Sequence, residues 1–173
     1  IPSIKGVSNA NVTTAWEVLA GQYEVGGEVV VIGGGSVGCE TALYLKQKGV
    51  NVMVVEMKDS LAIDMEPITR SVFLEEMQKS QIQTFTGYKV QSIDTDGVIA
   101  LDKNWKEHWI PCTDIVLSMG AGSINHLEGE LKQRGMRVVV IGDAKTPRKL
   151  REAISEGFMA AHGLIRNDTY PKL

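Results

Sequence analysis

Apolar residues are spaced along this chain in two rhythms. Residues 29–32 and 52–55 are unbroken, mostly β-branched runs, the pattern of short strands buried on both faces of a parallel sheet. Between them, residues 36–48 carry Val37, Thr41, Tyr44 and Leu45 at helical spacing, which predicts an amphipathic helix. Lys46 and Lys48 suit its C-terminal dipole, and Gly49 stops it. Residues 51–56 form the next predicted strand. Pro67 can open a second helix whose buried face is Met65, Ile68, Val72, Phe73 and Met77, with a strand over 81–85 after it.

A meander then replaces the expected crossover helix. Residues 88–93, 98–101 and about 106–110 read as three short antiparallel strands, joined by turns at Asp96-Gly97 and Asp102-Lys103-Asn104. Residues 114–119 return as a buried strand ending at Gly120-Ala121-Gly122. A last strand is predicted over 137–141, then a turn at Gly142-Asp143-Ala144 and a helix from Pro147 to about Ile165. Leu150, Ile154, Gly157, Phe158, Ala161 and Ile165 share one face of that helix. Gly157 within it implies close approach of another backbone. Residues 1–28 read as a connector with one short helix near 14–19, capped by Thr13 or Thr14 with Glu17 in its first turn. The expected organisation is a connector (1–28), an α/β domain (29–124) and a returning strand and helix (125–173). The fold class is α/β, three layers with a central parallel sheet and an antiparallel β-meander.

Composition narrows the function. With 173 residues and a net charge of −3, the chain exerts no strong pull on nucleic acid or an anionic membrane. No apolar run approaches the roughly 20 residues of a membrane span. Cys39 and Cys112 form no C-x-x-C pair, so no redox dithiol or cysteine-held metal cluster is encoded, and two unpaired thiols fit a reducing cytoplasm. His108, His126 and His162 show no metal spacing and no partner acid, and read as surface or packing residues. Trp105 and Trp109 alternate on a short strand as cover for the meander. Arg148, Lys149 and Arg151 read as a solvated face, with phosphate contact as the functional alternative. No catalytic residue and no metal ligand is predicted.

The chemistry concentrates at Gly33-Gly34-Gly35-Ser36-Val37-Gly38. This G-x-G-x-x-G follows a strand and opens a helix, the setting in which the motif holds a dinucleotide pyrophosphate. Gly33 permits the tight turn, Gly35 lets phosphate approach the backbone, and Gly38 lets the helix lie close to the strand. The helix N-terminus offers free amides and a positive dipole end, and Ser36 adds a hydroxyl. Glu56 lies 18 positions after Gly38, where a carboxylate can bind the adenosine ribose hydroxyls, so NAD(H) is favoured over NADP(H). Lys58 is the one neighbouring cation that could offset repulsion of a 2′-phosphate.

On these residues the chain resembles the NAD(H)-binding domain of FAD-dependent pyridine-nucleotide oxidoreductases, in particular NADH:flavin oxidoreductases of the 2-enoate reductase and 2,4-dienoyl-CoA reductase type. The similarity runs through VVVIGGGSVGCETALYL, VNVMVVEMKDSL, the D-x-E at Asp64-Met65-Glu66, DIVLSMGAGSIN and VVVIGDA. It implies that Glu40 lies near the nicotinamide, the alternative being a solvated helix residue. It implies that Gly120 lets the cofactor approach the strand end, and that Asp143 holds the ribityl chain of FAD, the alternative being a turn cap. The resemblance implies that residues 29–124 are a Rossmann-like NAD(H)-binding domain and that 125–173 are the returning strand and helix of an FAD-binding domain, with a cofactor-binding set of Gly33, Gly35, Ser36, Val37, Gly38, Glu40, Glu56, Met57, Lys58, Gly120 and Asp143. The implied cofactors are NAD(H), and FAD in a parent protein, with FMN and an iron–sulfur cluster in further domains. The start at Ile1-Pro2 fits a chain excised from that larger protein, inactive by itself. Its partners would be the dinucleotide and the FAD domain and barrel of the parent, with self-association through the C-terminal strand and helix as the alternative cover. Two other readings stay open: a free-standing NAD-sensing module, and an ordinary Rossmann dehydrogenase. The FAD-like Gly142-Asp143 weighs against the first. The meander and the lack of a Ser/Tyr/Lys or His/Asp constellation weigh against the second.

Overall fold

The computed structural model describes residues 3–166, in two compact units, Ile1–Gly120 and Ala121–Leu173. The first is built on five parallel strands: β1 (Val12–Thr14), β2 (Glu28–Ile32), β3 (Asn51–Glu56), β4 (Gln83–Thr86) and β8 (Asp114–Leu117), in the spatial order β1-β8-β2-β3-β4. Helices α1 (Ala15–Leu19), α2 (Ser36–Gln47) and α3 (Pro67–Lys79) link them. A separate antiparallel sheet of β5 (Lys89–Ile93), β6 (Gly97–Leu101) and β7 (Glu107–Pro111) is the expected meander.

Side chains of a strand alternate between its two faces, and both faces of the central sheet are buried. Val29, Val31, Val52, Val54 and Val116 pack toward α1 and α2 with Cys39, Ala42 and Leu45. Val30, Ile32, Val55, Ile115 and Leu117 pack against the meander through Val90, Ile93, Val98 and Ile110. The unit is therefore three layers, helices over parallel sheet over antiparallel sheet. Each fully buried valine contributes about 1.5–3 kcal/mol relative to exposure, which is why β2 and β3 read so clearly from the sequence.

Several expectations need correction. The connector is not featureless: β1 pairs with β8, and Asn11 donates to the carbonyl of Thr113 at 3.2 Å. Three residues with two threonines carry too little apolar pattern to announce a strand. Thr14 does cap α1 in a capping box with Glu17. On α2, Val37 is exposed and the buried face runs instead through Gly38, Cys39, Thr41, Ala42, Leu43 and Leu45. On α3, only Met77 is buried, while Ile68 and Val72 are 75% and 65% exposed. Trp105 lies in the turn before β7, with a positive φ of 61°, because the loop closes through Asp102.

The second unit contains α4 (Leu127–Gln133), which the apolar pattern did not signal, a 3₁₀ turn at Gly142–Ala144, and α5 (Leu150–Arg166). Residues 137–141 do not form the expected strand. A strand exists only as part of a ladder, and none of the described residues of this unit pairs with them. Gly157 faces the Ile141 side chain at 3.7 Å rather than another backbone. Leu150, Ile154 and Phe158 lie exposed along one face of α5, and Phe158 stacks on His162 with centroids 6.1 Å apart. Ile165, expected on that face, lies outside the described side chains. Among the described residues no helix is long and apolar enough to cross a membrane.

Candidate functional site

The glycine bend sits at the C-terminal end of β2, between β8 on one side and β3 on the other, where the sheet order reverses. Ligands of open parallel sheets bind at such a switch point. Gly33 leaves β2 with φ +104°, and a Cβ there would fall 2.2 Å from the Ser118 carbonyl oxygen. A Cβ at Gly38 would fall 1.9 Å from the Gly33 carbonyl oxygen, so α2 lies against the bend at backbone distance. Gly35 is different: a Cβ there would meet nothing nearer than an Asp64 carboxylate oxygen at 3.6 Å. Gly35 caps α2 in an extended conformation with no side-chain hydrogen bond. The first-turn amides of a helix have no partner within it.

Glu56, the last residue of β3, is fixed from two sides. One carboxylate oxygen accepts from the Gly34 amide at 2.6 Å, the other from the Lys58 amide at 2.7 Å. Each oxygen keeps acceptor capacity beyond those bonds. A crevice of about 520 Å³ opens beside it, lined by Gly33, Gly35, Glu56, Met57, Lys58 and Gly120 of the expected set. Tyr88, Lys89 and Val90 of the meander side, Ser118 and Met119 after β8, and Ser3 and Ile4 complete the wall. Sequence reasoning missed Ser3, Ile4 and the meander-side residues, since they are distant in the chain and carry no short motif. Tyr88 is also braced edge-on by Phe85 and His108.

Ser36, Val37 and Gly38 continue from the bend into α2 without lining the crevice. Glu40 is exposed on the same helix and is also outside the lining. Ser36 has taken a partner that the sequence signalled only as part of a D-x-E: its amide and hydroxyl donate to the two carboxylate oxygens of Asp64, at 2.9 and 2.5 Å.

In the second unit Asp143 is exposed in the 3₁₀ turn, where it accepts from the Arg148 amide at 3.4 Å, a capping role. Glu156 accepts from the Gly142 amide at 2.8 Å and pairs with Lys145 and Arg148. The Arg148 side chain, followed by the Gly142 amide, holds the Glu156 carboxyl at about 2, well below the ordinary range. Lys145 and Glu156 border a separate cavity of about 660 Å³ within this unit.

Both cysteines are buried. Burial foremost, then the nearby Asp64, pushes the Cys39 thiol up to about 12. Burial and then Asp114 do the same for Cys112. His108 does have a partner acid, contrary to expectation: its Nε2 lies 2.9 Å from Asp102. The pair, six residues apart, braces the turn between β6 and β7. No group of residues able to hold a metal ion occurs among the described residues.

Residues 28–103 match the pyridine nucleotide-disulphide oxidoreductase family. The chain is 44% identical over 165 residues to the NADH oxidase of Thermoanaerobacter brockii, covering 92% of this chain and 25% of that protein. It is 37% identical over 165 residues to the bilirubin reductase of Mediterraneibacter gnavus (strain CC55_001C), covering 95% and 26%. A solved structure of a 2-naphthoyl-CoA reductase in complex with 2-naphthoyl-CoA superposes with a TM-score of 0.83 at 28% identity, covering 91% of this chain and 24% of that one. The chain thus spans about a quarter of the length of these relatives.

Proposed function

We propose that this chain, whose residues 28–103 match the pyridine nucleotide-disulphide oxidoreductase family, binds NADH and holds it for hydride transfer to FAD in a larger flavoprotein. The observation that carries the reading is the pairing of a bare glycine bend with a pinned carboxylate across one crevice. The bend presents Gly35 and the start of α2 to the pyrophosphate. Glu56, at the end of the neighbouring strand, accepts from the ribose hydroxyls. The Gly34 and Lys58 amides hold it in place, so little side-chain freedom is lost when the sugar arrives. Ser118, Met119 and Gly120 form the side of the crevice toward the nicotinamide half.

The bound cofactors supply the hydride chemistry, and the chain supplies placement. Gly33 and Gly38 fix the bend, Glu56 selects the sugar, and Tyr88 and Val90 shield the crevice from water. In the second unit, Asp143 and the Gly142 turn are the residues that would meet the FAD ribityl chain. The exposed face of α5 would belong to the core of the FAD domain, and in its absence would favour self-association. FMN, an iron–sulfur cluster and an enoate or enoyl-type final substrate belong to this proposal. Their support is the family resemblance and the likeness to a 2-naphthoyl-CoA reductase.

Calorimetry with NADH and NADPH tests the core of the reading. NADH should bind more tightly. Glu56→Ala should weaken NADH about tenfold or more, the scale of one or two hydrogen bonds to a charged group, and narrow the gap between the two cofactors. Equal affinity for both in the wild type, or an unaffected Glu56→Ala, would refute it.

A further inference from the structure

Asp64 lies where a dinucleotide would bring its own negative charge. Its carboxylate takes the first amide and the only hydroxyl in the opening turn of α2, both from Ser36, at the positive end of the helix dipole. The same carboxylate is the nearest group to the open face of Gly35. A carboxylate and a phosphate are both oxyanions that accept N–H and O–H bonds, and a helix N-terminus serves either.

We propose that Asp64 is an internal occupant of the pyrophosphate seat: it caps α2 while the crevice is empty and gives up Ser36 to the incoming diphosphate, and in doing so sets the affinity of the site and its dependence on salt. The inference rests on the dinucleotide reading above.

The surrounding backbone defines what moves. Leu61 is buried under the bend, where a Cβ on Gly34 would fall 2.4 Å from it. The Ala62 amide donates to the Gly34 carbonyl at 2.7 Å, and the Met65 amide to the Ala62 carbonyl at 3.0 Å. The Arg70 Nε donates to the Leu61 carbonyl at 2.8 Å. Ala62 is fully buried and takes a φ of 50°, a conformation that only a well-packed segment keeps. Residues 61–65 therefore stay on the glycine bend during exchange. The displacement is a rotation of the exposed Asp64 side chain into water, not the opening of a loop.

The charge of Asp64 opposes the ligand twice, by holding Ser36 and by repelling phosphate. Asp64→Asn removes the charge and keeps an acceptor of nearly the same shape. Calorimetry on the full chain, with NADH and with adenosine as probes in low and high salt, separates the contributions. Asp64→Asn should bind NADH about tenfold more tightly in low salt, a difference of about 1.4 kcal/mol, and high salt should shrink that gap. Adenosine, which has no phosphate, should bind both proteins alike. The empty variant should also melt earlier, since a charged cap has been weakened, so tighter binding accompanies a less stable fold. A purely structural Asp64 would weaken both together. Asp64→Ala should move NADH affinity in the same direction. Equal or weaker NADH binding by both variants, with normal binding by the wild type, overturns the role of Asp64 alone. Failure of every form to bind NADH overturns the dinucleotide reading and the proposal with it.

Discussion

Two glycines of one motif should answer alanine in opposite ways. At Gly38 the new methyl carbon would sit 1.9 Å from the Gly33 carbonyl oxygen and 3.2 Å from Ser118 Cβ. Ordinary carbon contacts run about 3.5–4.0 Å, so α2 has to lift off β2 by about 1.5 Å. The blocking atom is backbone and cannot rotate away. Overpacking of this kind costs about 1–3 kcal/mol, here at its upper end, and the better helix propensity of alanine returns about 1 kcal/mol. The net loss is about 2 kcal/mol, or about 4–8 °C in melting temperature for a chain of this size. At Gly35 the same methyl meets nothing closer than 3.6 Å, and φ is −69°, an angle alanine adopts freely. Stability should stay within about 0.5 kcal/mol, because the lower entropy of the unfolded chain offsets a poorer cap. Yet Gly35→Ala puts its methyl on the face where phosphate is proposed to touch backbone, and NADH affinity should fall at least about tenfold. Urea titration gives the first quantity and calorimetry the second. Full NADH affinity in a well-folded Gly35→Ala would show that phosphate does not approach there. An undiminished stability in Gly38→Ala would show that the helix contact is looser than its geometry states.

Two further outcomes are expected. In the native chain neither Cys39 nor Cys112 should react with a thiol-specific disulfide reagent at pH 8, because burial pushes both thiols up to about 12, whereas both should react in urea; rapid labelling of the folded protein would contradict the packing described. Glu156, whose carboxyl is held at about 2 when folded against an ordinary 4.5, binds fewer protons in the native state than in the unfolded one. It therefore contributes stability above pH 4.5 that is lost as the pH falls toward 2, and Glu156→Gln should remove that part of the acid dependence in denaturation followed across this range.

What could be read from the sequence was what the sequence states locally. β2 and β3 appear with almost their predicted bounds because a strand buried on both faces admits only apolar side chains. The Asp96-Gly97 turn and the mechanical tasks of Gly33 and Gly38 follow from steric rules that act over a few residues. The mistakes have a common origin in missing or distant partners. Ile68 and Val72 have the spacing of a buried helix face, but spacing cannot say whether anything lies opposite, and in α3 nothing among the described residues covers them. Residues 137–141 are as apolar as β2, yet no strand among the described residues pairs with them. Ser36 and Asp64 are 28 residues apart, and no short pattern joins them. His108 was passed over for the same reason on a smaller scale, since its acid lies across a turn.

The two amides that grip Glu56 would tie the proposed nucleotide preference to architecture. An aspartate is one methylene shorter, a glutamine offers one acceptor oxygen where two amides donate, and a basic replacement offers none. Conversion of this protein to a phosphorylated ribose thus cannot proceed by trading one side chain for another. Whoever attempts it must first give the glycine crest a new strut, and only then a new reader.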